Sequence, residues 1–202
     1  MLINNRNYTS IWCEEEKIRI IDQTKLPFHI IEEELRHTKD FFLAIKNMKV
    51  RGAPLIGITA AFGLALSLKE DSSDKNLKKT YTKLLSARPT AVNLRWAMDV
   101  LIKEIEFIPR KKRFEIAIKK AINLMKEDII KCKKIGEMGF KLIEEKFKKN
   151  RRTVNILTHC NAGWLATVDW GTALSPIFIA SRKKIPLHVW VDETRPRNQG
   201  AL

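Results

Sequence analysis

The 202-residue sequence has few cysteines, and they lie far apart. Cys13, Cys132 and Cys160 are odd in number and form no CxxC pair. A disulfide framework uses an even set of cysteines, and a structural zinc site uses closely spaced ones, so the pattern indicates neither. A chain of this kind is typical of a reducing compartment, and we expect a cytoplasmic protein.

Glycine and proline are also scarce, with eight and seven residues, which excludes collagen-like and low-complexity chains. The longest apolar run, residues 55–68, is interrupted by small and polar side chains. We expect it to be too short to span a bilayer. The first residues lack a basic segment followed by an apolar one, so we expect neither a secretory signal nor a membrane partner.

Acidic residues are too few to balance the basic ones. The sequence has 38 Lys and Arg but only 23 Asp and Glu, which gives a net charge of +15. The stretch 103–152 holds 17 basic and 8 acidic side chains. A Lys-rich helical face can bind nucleic-acid phosphates, or it can be a solvated helix surface. Glu is interleaved at helical spacing and no aromatic ladder is present, which favours the solvated surface and no nucleic-acid partner.

The first 150 residues have the pattern of short strands followed by helices. Residues 11–31 are predicted to form strands and turns. Thr38 is predicted to cap a helix that places Phe42, Ile45 and Met48 on one face. Pro54 is predicted to open the next helix, because proline is favoured in the first turn. The predicted helices after the first one cover about 54–69, 74–86 and 91–107, with more from 111 to about 150.

After residue 151 the pattern is that of a βαβ unit. Residues 154–158 and 187–192 are predicted strands, and a helix is predicted between them at about 164–184. Such a unit implies a parallel sheet and an α/β fold. Two strands cannot cover both faces of a sheet, so we expect the sequence to be the front part of a longer chain.

Two arginine segments precede predicted helix starts. Arg51, Gly52 and Ala53 form a loop whose free N–H groups and helix dipole suit an anion. Arg88 begins the segment RPTAVNL, where a guanidinium can hold a phosphate with two hydrogen bonds. The alternatives are an ordinary helix start with a surface arginine and, for Arg88, a charge that offsets the dipole of the preceding helix.

Cys160 is the candidate nucleophile. It follows the strand 154–158 and precedes the predicted helix, whose dipole would lower the pKa of its thiol. Open α/β sheets bind ligands at this edge. Cys13 and Cys132 are expected to be structural, and so is His159, because neighbouring residues of a strand point to opposite faces.

The segment 192–200 follows the second predicted strand and therefore lies at the same sheet edge as Cys160. The charged side chains from Asp192 to Arg197 could bind a polar ligand or brace the loop through ion pairs, and we expect bracing. Gln199 could reach a sugar hydroxyl.

Five segments together resemble the methylthioribose-1-phosphate isomerase family, in order and spacing along essentially the whole chain. They are DQTKLP at 22–27, VRGAPLIG at 50–57, RPTAVNL at 88–94, ILTHCNAG at 156–163 and DETRPRNQGA at 192–201. The resemblance implies conversion of 5-methylthioribose 1-phosphate to 5-methylthioribulose 1-phosphate in methionine salvage. It also implies a homodimer without metal or organic cofactor. The wider superfamily includes regulatory subunits of the exchange factor for translation initiation, so the alternative is a non-catalytic regulatory or binding protein.

The resemblance also implies domains and residue roles. Residues 1–150 would be a small N-terminal β/helical domain, and residues 151–202 the beginning of a Rossmann-like parallel-sheet domain. Cys160 would be catalytic, and its partner, an Asp in a GADR-like motif, is expected beyond residue 202, so we expect the 202-residue chain alone to be inactive. The residues implied to bind substrate are Arg51, Gly52, Ala53, Arg88 and Gln199.

Overall fold

The computed structural model describes residues 1–3 and 5–192, which mix α-helices with small sheets, as the predicted α/β class requires. The strands are β1 (Leu2–Ile3), β2 (Arg6–Asn7), β3 (Ile11–Glu14), β4 (Lys17–Ile21), β5 (Glu32–Leu35), β6 (Val154–Thr158) and β7 (Leu187–Val191). The helices are α1 (Thr38–Lys46), α2 (Ala53–Glu70), α3 (Asp74–Leu85), α4 (Val92–Ile105), α5 (Arg110–Asn150) and α6 (Ser175–Arg182), with a short 3₁₀ helix at Trp164–Ala166.

The chain forms two compact units, and the division falls inside α5. The first unit is Ser10–Glu127. The second combines Met1–Thr9 with the chain from Asp128 onward. The domain boundary at residue 150 remains a sequence prediction.

In the first unit, β3, β4 and β5 form an antiparallel sheet in the order β3-β4-β5. Ile18 and Leu35 are paired across β4 and β5, and both are buried. The strand β5 lies beyond the predicted strand region. It was not predicted because its sequence EEEL contains no β-branched residue, the usual signal of a strand.

The start of α1 differs from the sequence prediction by one residue. His37, not Thr38, is the N-cap. The Asp40 carboxylate caps this end, since it accepts hydrogen bonds from the backbone N–H groups of His37 at 2.9 Å and Arg36 at 3.0 Å. An acidic side chain in the first turn therefore stabilises the helix start in place of the predicted threonine cap.

The buried face of α1 also differs from the prediction. Phe41, Ala44 and Ile45 are buried, rather than the set Phe42, Ile45 and Met48. The predicted spacing failed because the helix ends at Lys46, and Met48 lies in the following turn with a φ of 60°.

The helix α2 is the central core helix of the first unit. By length and composition it could cross a membrane, contrary to the sequence estimate for residues 55–68, but 78% of it is buried inside the protein. Two glycines allow close packing on this helix. A Cβ at Gly57 would lie 2.8 Å from the main-chain oxygen of Asn93 on α4, and a Cβ at Gly63 would lie 2.8 Å from the side chain of Phe41.

In the second unit, β6 and β7 confirm the two predicted strands; β6 has its predicted bounds, and β7 ends one residue earlier than predicted. They pair in parallel, with Val154 opposite Leu187 and Thr158 opposite Val191. The helical stretch that begins at Arg110 is one continuous helix of 41 residues.

The predicted helix at 164–184 is wrong, since the 3₁₀ helix and α6 are separated by the loop 167–174. Gly171 has a φ of 79°, which interrupts a helix, and a Cβ there would lie 2.5 Å from the carbonyl carbon of Gly163. The Thr167 hydroxyl donates to the Trp164 carbonyl and accepts the N–H of Gly171. These local hydrogen bonds compete with helical ones and hold the loop.

Candidate functional site

The loop 51–53 lies at the N-terminus of α2, as predicted. Gly52 is the N-cap residue and has a φ of 89°, a conformation that glycine adopts without strain. Ala53 is the first helical residue, and Pro54 follows it in the first turn. The backbone here therefore presents helix N–H groups next to Arg51, an arrangement that favours anions.

The Arg51 side chain is held inside the first unit rather than on its surface, with only 8% of the residue exposed. Its Nε donates to the Gln23 side-chain oxygen at 3.3 Å, and its Nη2 donates to the Gln23 carbonyl oxygen at 3.2 Å. Gln23 is 1% exposed. The sequence reasoning missed this residue, although the segment DQTKLP contains it.

The position of Gln23 is itself fixed by a tight turn at residues 22–24. The Asp22 carboxylate accepts hydrogen bonds from the Thr24 backbone N–H at 2.9 Å and the Thr24 hydroxyl at 2.6 Å. The Gln23 N–H donates to the carbonyl of Lys49 at 2.9 Å. The segments 22–24 and 49–51 are thus joined by backbone and side-chain hydrogen bonds.

Arg88 lies in the connection between α3 and α4, and its side chain is half-buried. Its carbonyl accepts the N–H of Ala91 at 3.0 Å, which forms a turn just before α4. Within residues 1–3 and 5–192, the Arg88 guanidinium has no hydrogen-bond or ion-pair partner. It is therefore a cation near a helix start that no carboxylate among the described residues neutralises.

The helices that follow the two arginine segments pack against each other near their starts. Gly57 lies about one turn after the start of α2, and Asn93 is the second residue of α4. The close approach of these two residues sets the N-termini of both helices side by side. Arg51 and Arg88 therefore precede neighbouring helix starts, where two helix dipoles add to their positive charge.

Cys160 is exposed, at the carboxyl end of β6, and has a φ of 68°. The predicted helix immediately after it does not form, since α6 begins only at Ser175. The helix that was expected to activate its thiol is therefore absent at this position. What remains is an accessible thiol at the sheet edge.

The neighbours of Cys160 at this edge are polar. His159 Nδ1 lies 3.2 Å from the Asp192 carboxylate, and the Asp192 N–H donates to the Thr158 carbonyl at 3.1 Å. These contacts link the ends of β6 and β7, so His159 contributes to bracing the strand ends. Thr158 is buried, and its hydroxyl has no hydrogen-bond partner in the described part of the chain.

The two other cysteines are buried or half-buried, and two of the predicted residues lie outside the described part of the chain. Cys132 is buried and Cys13 half-buried, and burial raises the pKa of both thiols, that of Cys132 to about 11. Gln199 and Arg197 lie outside the described residues. Among residues 1–3 and 5–192, no group of three or more His, Cys, Asp or Glu could hold a metal ion.

The Lys-rich helix α5 carries ion pairs at i,i+4 spacing, which favours the interpretation as a solvated face. Three such pairs join Lys119 with Glu115, Lys133 with Glu137 and Lys148 with Glu144. A cavity of about 630 Å³ lies at its C-terminal end, at the opposite end of β6 from Cys160. Its lining includes Lys146, Lys149 and Arg152.

Comparison with known proteins gives consistent matches along the chain. Residues 49–202 match the initiation factor 2 subunit family. A methylthioribose-1-phosphate isomerase of Methylorubrum populi is 48% identical over all of this chain and 56% of its own length. The corresponding protein of Cereibacter sphaeroides is 50% identical, with the same shares covered. The chain thus spans about half the length of the curated relatives it matches.

Two solved structures have the same fold over nearly the whole chain. The 5-methylthioribose 1-phosphate isomerase from Pyrococcus horikoshii matches with a TM-score of 0.83 and 33% identity, covering 97% of this chain and 55% of that one. The delta subunit of translation initiation factor eIF-2B from A. fulgidus matches with a TM-score of 0.78 and 35% identity, covering 96% and 57%.

Proposed function

Because the chain belongs to the initiation factor 2 subunit family, we propose that it acts as a sugar-phosphate isomerase, converting 5-methylthioribose 1-phosphate to 5-methylthioribulose 1-phosphate. The observation that carries this proposal is the packing of Gly57 against Asn93, which sets Arg51 and Arg88 before two neighbouring helix N-termini. The names and identities of the curated relatives support the choice of sugar phosphate.

We assign the phosphate of the substrate to the two arginine segments. Arg88 supplies a cation whose charge no described carboxylate neutralises. Arg51, Gly52 and Ala53 supply a second guanidinium and the N–H groups at the start of α2. A bidentate guanidinium and helix N–H groups together match the three oxygens of a terminal phosphate.

The reaction is an internal oxidation and reduction of the sugar. The phosphate at C1 blocks simple ring opening, so an acid must help to break the ring C–O bond. The hydrogen on C2 then moves to C1, so that C2 becomes the ketone and C1 is reduced by the same two electrons. We assign Cys160 as one of the two groups that exchange protons with the substrate in these steps. Its exposure at the carboxyl end of β6 supports this role, because ligands of parallel sheets bind at that edge.

The proposal extends to the setting of the enzyme. We infer a cytoplasmic homodimer that takes a small-molecule sugar phosphate and needs no organic cofactor or metal. The relatives are named as enzymes of sugar-phosphate chemistry, which supports the small-molecule substrate.

A second candidate is a non-catalytic regulatory or binding protein on the same fold. The likeness to the eIF-2B delta subunit favours it. Such a protein has no need of a reactive thiol or of two phosphate-binding arginines, so Cys160, Arg51 and Arg88 discriminate between the candidates.

The test is an isomerisation assay with methylthioribose 1-phosphate. The 202-residue chain is assayed alone and as a chimera followed by the remaining length of the Methylorubrum populi relative. We expect the chimera to be active and its Cys160→Ser variant to lose at least about a hundredfold in kcat, because acid–base groups typically contribute that much. Cys13→Ser is the matched control and should retain full activity. Equal activity of Cys160→Ser would refute the catalytic assignment, and an inactive chimera that binds a translation factor would favour the second candidate.

A further inference from the structure

We propose that Asp128 is a positioning residue that holds the loop 167–174 against the backbone next to Cys160 and so sets the position of the Cys160 thiol. The inference rests on the proposed role of Cys160 and goes beyond it, since the proposed reaction gives no role to any residue of α5. A series of hydrogen bonds and close contacts connects the two residues, and all of it lies inside the second unit.

The series begins with the contact between Asp128 and the loop. The Asp128 carboxylate accepts the N–H of Val168 at 2.8 Å, and Val168 is fully buried. Burial raises the pKa of the half-buried Asp128 carboxyl, and the Val168 N–H partly offsets this by stabilising the carboxylate. A charged group is thus held out of full solvent at a place where it bonds to the backbone of the loop.

A second contact from α5 holds the other end of the loop. The Ser175 hydroxyl donates to the carbonyl of Cys132 at 2.9 Å. A Cβ at Gly136 would collide with the same hydroxyl, so the two elements are in close contact here. Asp128, Cys132 and Gly136 follow each other at intervals of four residues, which places them on one face of the helix. This face therefore holds the loop near both of its ends.

The loop in turn packs on the chain just after Cys160. The carbonyl of Ala162 accepts the N–H of Thr172 at 2.9 Å and that of Leu174 at 3.5 Å. A Cβ at Gly171 would lie 2.7 Å from the same oxygen. Ala162 is only two residues beyond Cys160, so a displacement of the loop from α5 would move the backbone that carries the thiol.

The backbone of Cys160 depends on such external support. Its φ of 68° lies in the left-handed region, which is unfavourable for a residue with a side chain and persists only where the surroundings hold it. The Cys160 side chain is exposed and contributes little packing of its own. A misplacement of about 1 Å in a reacting group can lower a rate about a hundredfold, so a loosened loop should be visible in catalysis.

The first experiment measures the loop without any substrate. Three variants of the 202-residue chain are compared with the unsubstituted chain. Asp128→Ala and Asp128→Leu remove the acceptor, and the leucine keeps most of the side-chain volume. Asp128→Asn keeps an oxygen that can accept the Val168 N–H.

Hydrogen exchange of the Thr172 and Leu174 amides is followed by NMR, because these amides bond to Ala162 and not to Asp128. We expect their exchange to be at least about tenfold faster in the alanine and leucine variants, and within about twofold of the unsubstituted chain in Asp128→Asn.

The second experiment measures kinetics in the chimera with the Methylorubrum populi relative. We expect Asp128→Leu to lower kcat per folded enzyme at least about tenfold and to leave KM within about twofold, because the thiol is misplaced while the arginine segments are untouched. Asp128→Asn should restore most of kcat. A merely structural role would lower the unfolding midpoint and the yield of folded enzyme without this split between kcat and KM.

Asp99→Ala is the matched control. It removes a half-buried helix carboxylate that also makes a hydrogen bond of 2.8 Å, to the Tyr81 hydroxyl in the first unit. We expect this variant to lose stability and to keep both the slow exchange of the Thr172 and Leu174 amides and the kcat of the chimera.

The outcomes separate this inference from the proposed function. Unchanged exchange of Thr172 and Leu174 in both Asp128→Ala and Asp128→Leu would overturn the positioning claim. So would an unchanged kcat of Asp128→Leu in a chimera whose Cys160→Ser variant is inactive, and then the role of Cys160 would stand. Equal losses in Asp128→Asn or in Asp99→Ala would also overturn it, because the hydrogen bond to Val168 would not be the cause. Full activity of Cys160→Ser would refute the proposed role of Cys160, and the inference would fail with it.

Discussion

Arg88 combines a half-buried position with the absence of a partner among the described residues, and this combination makes its replacement informative. We expect Arg88→Ala to weaken phosphate binding by roughly 10- to 100-fold, because a charge-assisted bidentate contact contributes about 1.5–3 kcal/mol. Arg88→Lys should not restore the affinity, since an ammonium group cannot make the two-pronged contact. Phosphate titrations of both variants measure these effects.

Arg95 provides the matched control for this prediction. It lies on the exposed side of α4, where its guanidinium donates to the Tyr81 hydroxyl. Arg95→Ala removes the same charge from the first turn of α4 and should leave phosphate affinity within about twofold, since exposed charges are screened by salt. Equal losses from Arg88→Ala and Arg95→Ala would mean that the net charge near the start of α4, not a specific contact, attracts the anion.

Cys160 and Cys132 should differ sharply in reactivity. Cys160 is exposed, whereas Cys132 is buried and burial raises the pKa of its thiol to about 11. At pH 8 an alkylating reagent should modify Cys160 in the folded protein and leave Cys132 unmodified, which mass spectrometry of peptides can measure. Modification of Cys132 as fast as Cys160 would contradict the buried position.

The same pKa shift predicts a dependence of stability on pH. The folded state keeps the Cys132 proton to higher pH than the unfolded state, whose thiol titrates near 9. The unfolded state therefore releases its proton first, and the free energy of unfolding should fall as the pH rises from about 9 to 11. Cys132→Ala should reduce this fall.

At the scale of single residues, the sequence singles out Arg51, Arg88 and Cys160 as candidates but does not reveal the contact between Gln23 and Arg51. Residue types at helix starts and strand ends are visible in a sequence, because they depend on local neighbours. The contact between Gln23 and Arg51 joins residues 28 positions apart, and it depends on how the sheet edge meets α2. No local pattern contains that information.

A substitution at Gly57 tests whether the anion site depends on the close packing of α2 against α4. Replacing glycine with alanine inside a helix normally stabilises it by about 1 kcal/mol. At position 57 the added Cβ would lie 2.8 Å from the Asn93 carbonyl oxygen, so α4 must move away from α2. We expect Gly57→Ala to lower both the unfolding midpoint and the phosphate affinity, measured by thermal unfolding and calorimetry.

The Gly63→Ala variant tests whether a loss of helix packing away from the anion site is enough to weaken phosphate binding. Its Cβ would also come within 2.8 Å of a neighbour, but that neighbour is the Phe41 side chain on α1. This variant should be destabilised and still bind phosphate with nearly unchanged affinity. A similar loss of affinity in both variants would show that general loosening of the helices, rather than the spacing of α2 and α4, controls binding.

The elements of the second unit show where sequence reasoning succeeds and fails. The strand at 154–158 was predicted to the residue and the strand at 187–191 to within one residue, because short apolar runs with β-branched side chains have a clear signal. The helix at 164–184 was wrong, because Thr167 and Gly171 stabilise a loop through hydrogen bonds and a left-handed conformation that helix spacing does not reveal. This error mattered for chemistry, since the activation of Cys160 was inferred from that helix.

For the whole molecule, the net charge is +15. An anion could therefore be attracted by the basic surface as a whole or by the arginines at the two helix starts. Exposed lysines, several of them paired with glutamates one turn away, cover much of α5. Charges in solvent are screened over about 8 Å at physiological ionic strength, so they attract an anion weakly. A cation held in a fixed position near helix N–H groups acts through direct hydrogen bonds that salt screens much less.

Replacing Lys126, Lys134, Lys141 and Lys149 together with glutamine tests this distinction. Glutamine keeps a helix propensity close to that of lysine, so the helix should persist while four exposed charges are removed. We expect the phosphate affinity of this variant to stay within about twofold at physiological salt. The double variant Arg51→Ala and Arg88→Ala removes only half as many charges and should nevertheless weaken binding more than any single change, because it removes both guanidinium contacts. If the lysine variant lost more affinity than the arginine variant in calorimetric titrations, the basic face of α5 would be the binding surface, and the two helix starts would be ordinary capping sites.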